Sequence, residues 1–146
     1  MSKSPMAIHI STDVREINFA AFDDVYRSVG FHRGPLASFP NNYLGKLFGP
    51  GIFGFFAFRN ENLVGVARIL SDDIVCAHIA ELCVHKKWQR NGVGRTLIEA
   101  VIKHISDIAI YADALNGQEI FFSKLGVIPQ SKVVACGRAP ANADWV

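Results

Sequence analysis

The sequence predicts an α/β sandwich whose sheet is mostly antiparallel, with one parallel pair in the middle. Three observations carry this. Residues 52–84 read as three consecutive β runs separated by turns, residues 92–105 switch to helical period, and residues 108–112 return to a short apolar strand. A strand reached through a helical crossover lies parallel to the one before it, so the runs ending at Val84 and starting at Ile108 form the parallel pair.

Each element has its own justification. Ala7–Ser11 reads as a first strand, and a helix is expected within Asp13–Val29, with Asp13 or Asn18 as N-cap and Gly30 as its stop. Phe31–Gly51 is rich in Gly, Pro and Asn, with room for a short helix near Asn42–Phe48. That irregular composition suits a loop over a site and equally a surface excursion. Ile52–Phe58, Leu63–Leu70 and Ile74–Val84 form a meander with turns at Arg59–Asn62 and Ser71–Asp73. In Gly92–Ile105 the residues Val93, Leu97, Val101 and Ile105, widened by Ile98 and Ile102, make a core face. Arg95, Glu99 and Lys103 align on the wet side. Asn116 and Glu119 have capping-box spacing for a last helix that Gly126 ends, and Val127–Val146 is expected to add one or two strands before a loose tail over 140–146.

Composition excludes several classes. The 146 residues suit one domain, and half are apolar, enough for a core without staples. A net charge of +2 from scattered basic residues gives no stripe for a phosphate backbone, so no nucleic-acid partner is expected. Cys76, Cys83 and Cys136 are odd in number and lack C-x-x-C spacing, which argues against a structural metal or a disulfide framework. With no long apolar run at the start and none long enough to cross a bilayer, the expectation is a cytoplasmic protein without a membrane partner.

The informative stretch is LCVHKKWQRNGVGRTLIEAVI, residues 82–102. A strand enters, a turn carries Gly92 and Gly94, and a helix leaves. The first N–H groups of a helix have no internal acceptor, and the helix dipole adds partial positive charge there. Such a turn can grip a pyrophosphate without a basic cluster. No G-K-[ST] follows, so this is not a P-loop, and only the first two glycines of a dinucleotide fingerprint could be matched. An ordinary glycine-containing turn is the bland alternative, and a plain phosphate-binding domain a second one.

Gln89-Arg90-Asn91-Gly92-Val93-Gly94 resembles the Q/R-x-x-G-x-G/A motif of the GNAT N-acetyltransferase superfamily. VGVARILSDD upstream and FFSKLGV downstream are similar to family segments in the same element order, and the resemblance covers most of residues 52–128. Residues 1–51 match weakly and would form the variable, substrate-side part of a single domain. The resemblance implies helices on both faces of the sheet, a splayed central parallel pair, and acetyl-CoA as cosubstrate. Backbone amides of Gln89, Arg90, Asn91, Gly92, Val93, Gly94 and Arg95 would bind the pyrophosphate. The main chain of Leu82, Cys83 and Val84 would pair with the pantetheine arm. Asn116 stands where a polar side chain often touches the cosubstrate, and Phe122 where many members carry a tyrosine thought to protonate the departing thiolate. Family members often pair through their terminal strands, which leaves a homodimer open.

The chemistry then needs a base. An alkyl ammonium with a pKa of about 10.4 is only about one part in two thousand neutral at pH 7, a deficit of ~4.6 kcal/mol. Glu81 and His78 are the candidates, with Glu81 in an apolar strand where desolvation would raise its pKa. The alternative for Glu81 is an ion pair with Arg68 on the neighbouring strand. His85 reads as a surface residue, and Cys83 as a small buried hydrophobe. One face of Phe53, Phe55, Phe56 and Phe58 could line an apolar acceptor pocket closed by Tyr26, Phe31 and His32. The expected activity is N-acetylation of a small-molecule or protein amine. Because Phe122 lacks a hydroxyl, a non-catalytic acyl-CoA-binding sensor is the alternative.

Overall fold

The computed structural model describes residues 7–31, 41–105, 107–139 and 141. They fall into two compact units, Met1–Ala112 and Asp113–Val146.

The first unit is built on a five-stranded sheet in the order β1-β2-β3-β4-β5, comprising β1 (His9–Ser11), β2 (Ile52–Arg59), β3 (Asn62–Ser71), β4 (Cys76–Val84) and β5 (Ala109–Ala112). Every neighbouring pair is antiparallel except β4–β5, which is parallel. The third meander strand starts two residues later than expected. Asp72 Oδ1 accepts from the N–H groups of Ile74, Val75 and Cys76 at 3.0, 2.8 and 3.3 Å, and holds that stretch as a loop.

Helices cover both faces, as a sheet with two apolar faces requires. α1 (Phe19–Ser28) is capped by Asn18, whose side-chain oxygen accepts from Ala21 N–H at 2.8 Å. It ends at Gly30, whose φ of +83° turns the chain while Phe31 N–H donates to the Tyr26 carbonyl. Asp13 caps a separate 3₁₀ turn, Val14–Glu16, so both candidate caps are used. α1 packs Phe22, Val25 and Tyr26 onto Phe56, Phe58, Val66 and Cys83, and the short α2 (Tyr43–Leu47) borders the same core. On the other face lies α3 (Val93–His104), which buries Val93, Leu97, Ile98 and Val101. It comes so near Gly65 that a Cβ there would meet Leu97 and Val93 at 2.9 Å. Arg95, Glu99 and Lys103 are exposed, as the periodicity predicts.

The phenylalanines of β2 are consumed by this packing. Phe55, Phe56 and Phe58 are buried, and Phe53 and Phe55 meet the ring of His104.

The second unit contains α4 (Glu119–Ser123), closed at Gly126 with φ +86° and a bond from Val127 N–H to the Phe122 carbonyl. The expected capping box does not form. The helix starts two residues too late for Asn116 to cap it: Gln118 is the N-cap and makes no side-chain cap bond, while Glu119 Oε2 accepts from Gly117 N–H at 2.6 Å. The expected C-terminal strands are also absent among the described residues. Val133 and Val134 are adjacent and both exposed, so a strand there would put one valine on each face and build no apolar side. Of the expected tail, residues 140 and 142–146 lie outside the described residues.

Candidate active site

The site is organised by β4. Its parallel pairing with β5 runs from Cys76–Ala109 to Ile79–Ala112 and stops there, while β4 continues to Val84 against β3 alone. Among the described strands none pairs Ala80–Val84 on the β5 side. The change coincides with a bulge. Arg68 faces Glu81 but the next residue, Ile69, faces Ile79, so Ala80 is an extra residue in β4. An unbroken strand would put His78 and Glu81 on opposite faces. The bulge shifts the alternation, so both lie on the face that α1 covers, opposite Leu70 and Arg68 respectively.

At the far end of β4 the chain makes a 3₁₀ turn, Lys86–Trp88, and enters α3 through Gln89–Gly92. The turn is braced from inside. Asn91 Nδ2 donates to the carbonyls of Trp88 and Gln89 at 3.3 and 2.9 Å, and Gln89 Nε2 donates to the Val84 carbonyl at 3.2 Å. Arg90 takes φ +63° and Gly92 φ +82°. Gly92 is the N-cap of α3 with no side-chain cap, so the N–H groups of the first turn have no intrahelical acceptor and no capping oxygen. A Cβ on Gly92 would meet nothing of the protein within 4 Å. Gly94 lies inside α3 without a positive φ, so conformation does not demand a glycine there. Arg95 is held in an exposed ion pair with Glu99 at 2.8 Å.

In the middle of β4, Glu81 forms a two-pronged ion pair with Arg68. Nε lies 3.0 Å from both carboxylate oxygens and Nη2 2.6 Å from Oε2. The side chains are only 14% and 15% exposed, which makes this a desolvated pair rather than a surface one. Burial works against the charge on Arg68, but the hydrogen bond and attraction of Glu81 outweigh it and leave its pKa raised. The Tyr26 hydroxyl approaches Glu81 Oε1 at 3.5 Å. Burial, reinforced by Cys83 and Glu81, holds that phenol well above its ordinary pKa. Beside the pair opens a cavity of about 320 Å³ whose floor includes Ala80 and Glu81. Its walls come from Phe19, Phe22, Asp23 and Tyr26 of α1, from Gly30 and Phe31, and from Tyr43 and Leu47 of α2.

Comparison with known proteins agrees with this geometry. A family model described as the acetyltransferase (GNAT) domain matches residues 48–134. The chain belongs to the GNAT acetyltransferase family. It is thereby an acyltransferase of a family that uses acetyl-CoA as cosubstrate. A curated relative, an uncharacterized N-acetyltransferase ycf52-like of Prochlorococcus marinus, is 22% identical over 97% of this chain and 80% of its own. Among solved structures, Staphylococcus aureus SA2161 superposes with a TM-score of 0.74 at 14% identity, covering 92% of this chain and 99% of that one. A GNAT family acetyltransferase of Streptococcus pneumoniae, SP0256, gives 0.67 at 18% identity over 94% and 100%. An aminoglycoside acetyltransferase from an uncultured soil sample, solved with sisomicin, gives 0.68 at 19% identity over 92% and 95%. At such identities these structures attest the shared fold.

Within this GNAT fold the residues singled out from the sequence separate into groups. Gln89–Arg95 form one contiguous segment, the turn and the first residues of α3, and Leu82–Val84 precede it across the 3₁₀ turn Lys86–Trp88. Both alternatives for Glu81 remain in view, because it lines the cavity while paired with Arg68. His78 is not among the cavity residues. Asn116 and Phe122 belong to the second unit, where Phe122 is buried. Two readings are corrected. His85 is no surface residue: its side chain is 13% exposed, Nδ1 accepts from Lys87 N–H at 3.1 Å and Nε2 lies 3.2 Å from Asp24. None of Phe53, Phe55, Phe56 and Phe58 lines the cavity: the core takes Phe55, Phe56 and Phe58, and the half-buried Phe53 packs on His104. Tyr26 and Phe31 do line it, and His32 lies outside the described residues. Cys83 is buried, and burial with the nearby Glu81 charge pushes its thiol up to about 12, which makes it inert.

Sequence reasoning missed Phe19, Phe22, Asp23, Tyr43 and Ala80. A signal existed for two of them, Phe19 and Phe22. Phe19, Phe22 and Tyr26 stand at i, i+3 and i+7, an aromatic stripe along one helix face. Nothing local marks Ala80 as a bulge. Among the described residues no cluster of His, Cys, Asp or Glu could hold a metal, and no helix is long and apolar enough to cross a membrane.

Proposed function

We propose that this GNAT acetyltransferase moves an acetyl group from acetyl-CoA to an amine, by direct attack of the nitrogen on the thioester carbonyl. The observation that carries this is the layout along β4. A cavity with a carboxylate opens at Ala80–Glu81, an unpaired strand edge follows over Leu82–Val84, and an uncapped helix start lies at its end. Acetyl-CoA would supply the activated acyl group. The turn fits its pyrophosphate, because the space outside Gly92 is empty and the first-turn N–H groups are uncommitted. Charge-assisted bonds of that kind are worth roughly 1.5–3 kcal/mol each. In this reading Gln89, Arg90, Asn91, Gly92, Val93, Gly94 and Arg95 surround the phosphates, and Leu82–Val84 offer main-chain groups to the pantetheine.

Glu81 takes the ammonium proton, directly or through water. Its place in the cavity wall favours it over His78. Arg68 pins the carboxylate in one orientation, so Glu81 acts as a positioned acceptor. A thiol leaving group with a pKa of about 8.5 can depart as the thiolate without a general acid. The free Cys76, Cys83 and Cys136 suit a reducing cytosol.

The test pairs calorimetric titration of acetyl-CoA with thiol release across a panel of amines. The reading expects saturable binding and amine-dependent release. Binding with no release on any amine would favour the sensor, and competition by pyrophosphate or ATP as strong as by coenzyme A would favour a plain phosphate site.

A further inference from the structure

We infer that the acceptor is a compact primary amine carrying a single aromatic ring, seated with its ring between α1 and α2 and its nitrogen at Glu81. This rests on the acetyl-transfer reading and names the substrate class for that site.

The wall chemistry points there first. Five aromatic rings surround the cavity and touch in series. Phe19 meets Tyr43 edge-on at 5.5 Å, Phe22 meets Tyr43 at 6.4 Å and stacks on Tyr26 at 4.2 Å, and Tyr26 meets Phe31 at 6.2 Å. Such an array rewards a flat apolar body and, near its ring faces, a single positive charge.

Charge narrows the class. Among the described residues two carboxylates reach the cavity, and each already has an arginine. Glu81 is gripped by Arg68, and Asp23 by Arg27 at 2.6 Å with the Asp23 side chain 12% exposed. A polyamine or an aminoglycoside brings several ammonium groups, each needing an anion or water. The cavity offers no such set. One ammonium can share the Glu81 carboxylate and give up its proton there.

The opening, about 320 Å³, admits a phenyl or phenol ring with a two-carbon aminoalkyl arm. In the step itself the nitrogen–acetyl bond forms as the carbon–sulfur bond breaks. Of the two protons the ammonium loses, one passes through Glu81 to water and one ends on the coenzyme A thiol.

The full chain would be assayed by thiol release from acetyl-CoA with 2-phenylethylamine, hexylamine, spermidine and sisomicin, with calorimetric titration of acetyl-CoA and of 2-phenylethylamine alongside. The expected result is a kcat/KM for 2-phenylethylamine at least tenfold above spermidine and sisomicin. Phe19→Leu should raise the KM for 2-phenylethylamine about fivefold and that for hexylamine less than twofold. Acetyl-CoA binding with spermidine or sisomicin used as well as 2-phenylethylamine, or no calorimetric heat from 2-phenylethylamine, overturns the acceptor class alone. Absence of acetyl-CoA binding overturns the acetyl-transfer reading and this inference together.

Discussion

The two ends of the candidate site are made in opposite ways. The turn at Gln89–Gly94 is built from main chain within a few consecutive residues, is largely exposed, and presents N–H groups that no side chain caps. The cavity at Glu81 is built from side chains of α1, α2 and β4, elements spread over more than sixty positions by the numbering of Phe19 and Glu81. The first needs glycines and a helix start. The second needs a whole fold. A contact made by backbone tolerates most side-chain changes and is lost when the backbone path or its approach is blocked, whereas a contact made by packed side chains answers to each of them.

The largest effect should come from Gly92→Val. Valine is strained at φ +82°, and its branches would enter the space that is empty in front of the turn. Acetyl-CoA affinity measured by calorimetry should fall at least ~100-fold, while circular dichroism shows the rest of the fold retained. Unchanged affinity would falsify the cradle assignment.

Next comes Glu81→Gln. Removing the proton acceptor should lower kcat on alkyl amines about 10²-fold or more, with aromatic amines, neutral at pH 7, far less affected. Acetyl-CoA affinity should hold. The variant should also be less stable in urea, since Arg68 keeps its buried charge without an anion. Equal alkyl-amine rates for variant and parent would remove Glu81 as base.

Gly94→Ala separates conformation from approach. Alanine should stabilise the first turn of α3 by ~0.5–1 kcal/mol, since no positive φ is needed there. If phosphate oxygens come close to that backbone, the methyl group should still weaken acetyl-CoA about tenfold. A variant that is both more stable and equally tight would show that nothing approaches Gly94.

The smallest effect is in the pH profile of stability. The folded protein holds the Cys83 proton up to about 12, against an ordinary 9.0, so above pH 9 it binds more protons than the unfolded chain. That contribution is fully present below about pH 9 and is lost as pH rises towards 12. Urea midpoints from pH 8 to 11 should fall, and should fall less in Cys83→Val. They should not become flat, because Tyr26 shifts in the same direction. At pH 8 a thiol reagent should modify Cys136 readily and leave Cys83 untouched until the protein unfolds.

Residues 82–102 announced the turn and α3 because the information is local. A strand pattern, two glycines and a helical apolar period stand in one string, and each acts on its immediate neighbours. The meander and its crossover were legible for the same reason, which gave the order β2-β3-β4 and the single parallel pair, although among the described strands that pair lies at the sheet's edge and not in its middle. Glu81 and Arg68 could be named as partners, because neighbouring strands of a meander bring such residues face to face. Where the sequence misled, competition decided. β2 offered four phenylalanines to either a pocket or a core, and the core took Phe55, Phe56 and Phe58 because burial against the helices removes the most apolar surface from water.

By itself, then, the sequence determined the fold class, most of the elements and the glycine-bearing turn, all products of short-range periodicity and of backbone groups left over at a helix start. Tertiary structure alone decided the Ala80 bulge, the facing of His78 and Glu81, and the aromatic cavity with its Asp23. A one-residue change of strand register is a matter of how a whole sheet pairs and packs, and no residue type near Ala80 carries it.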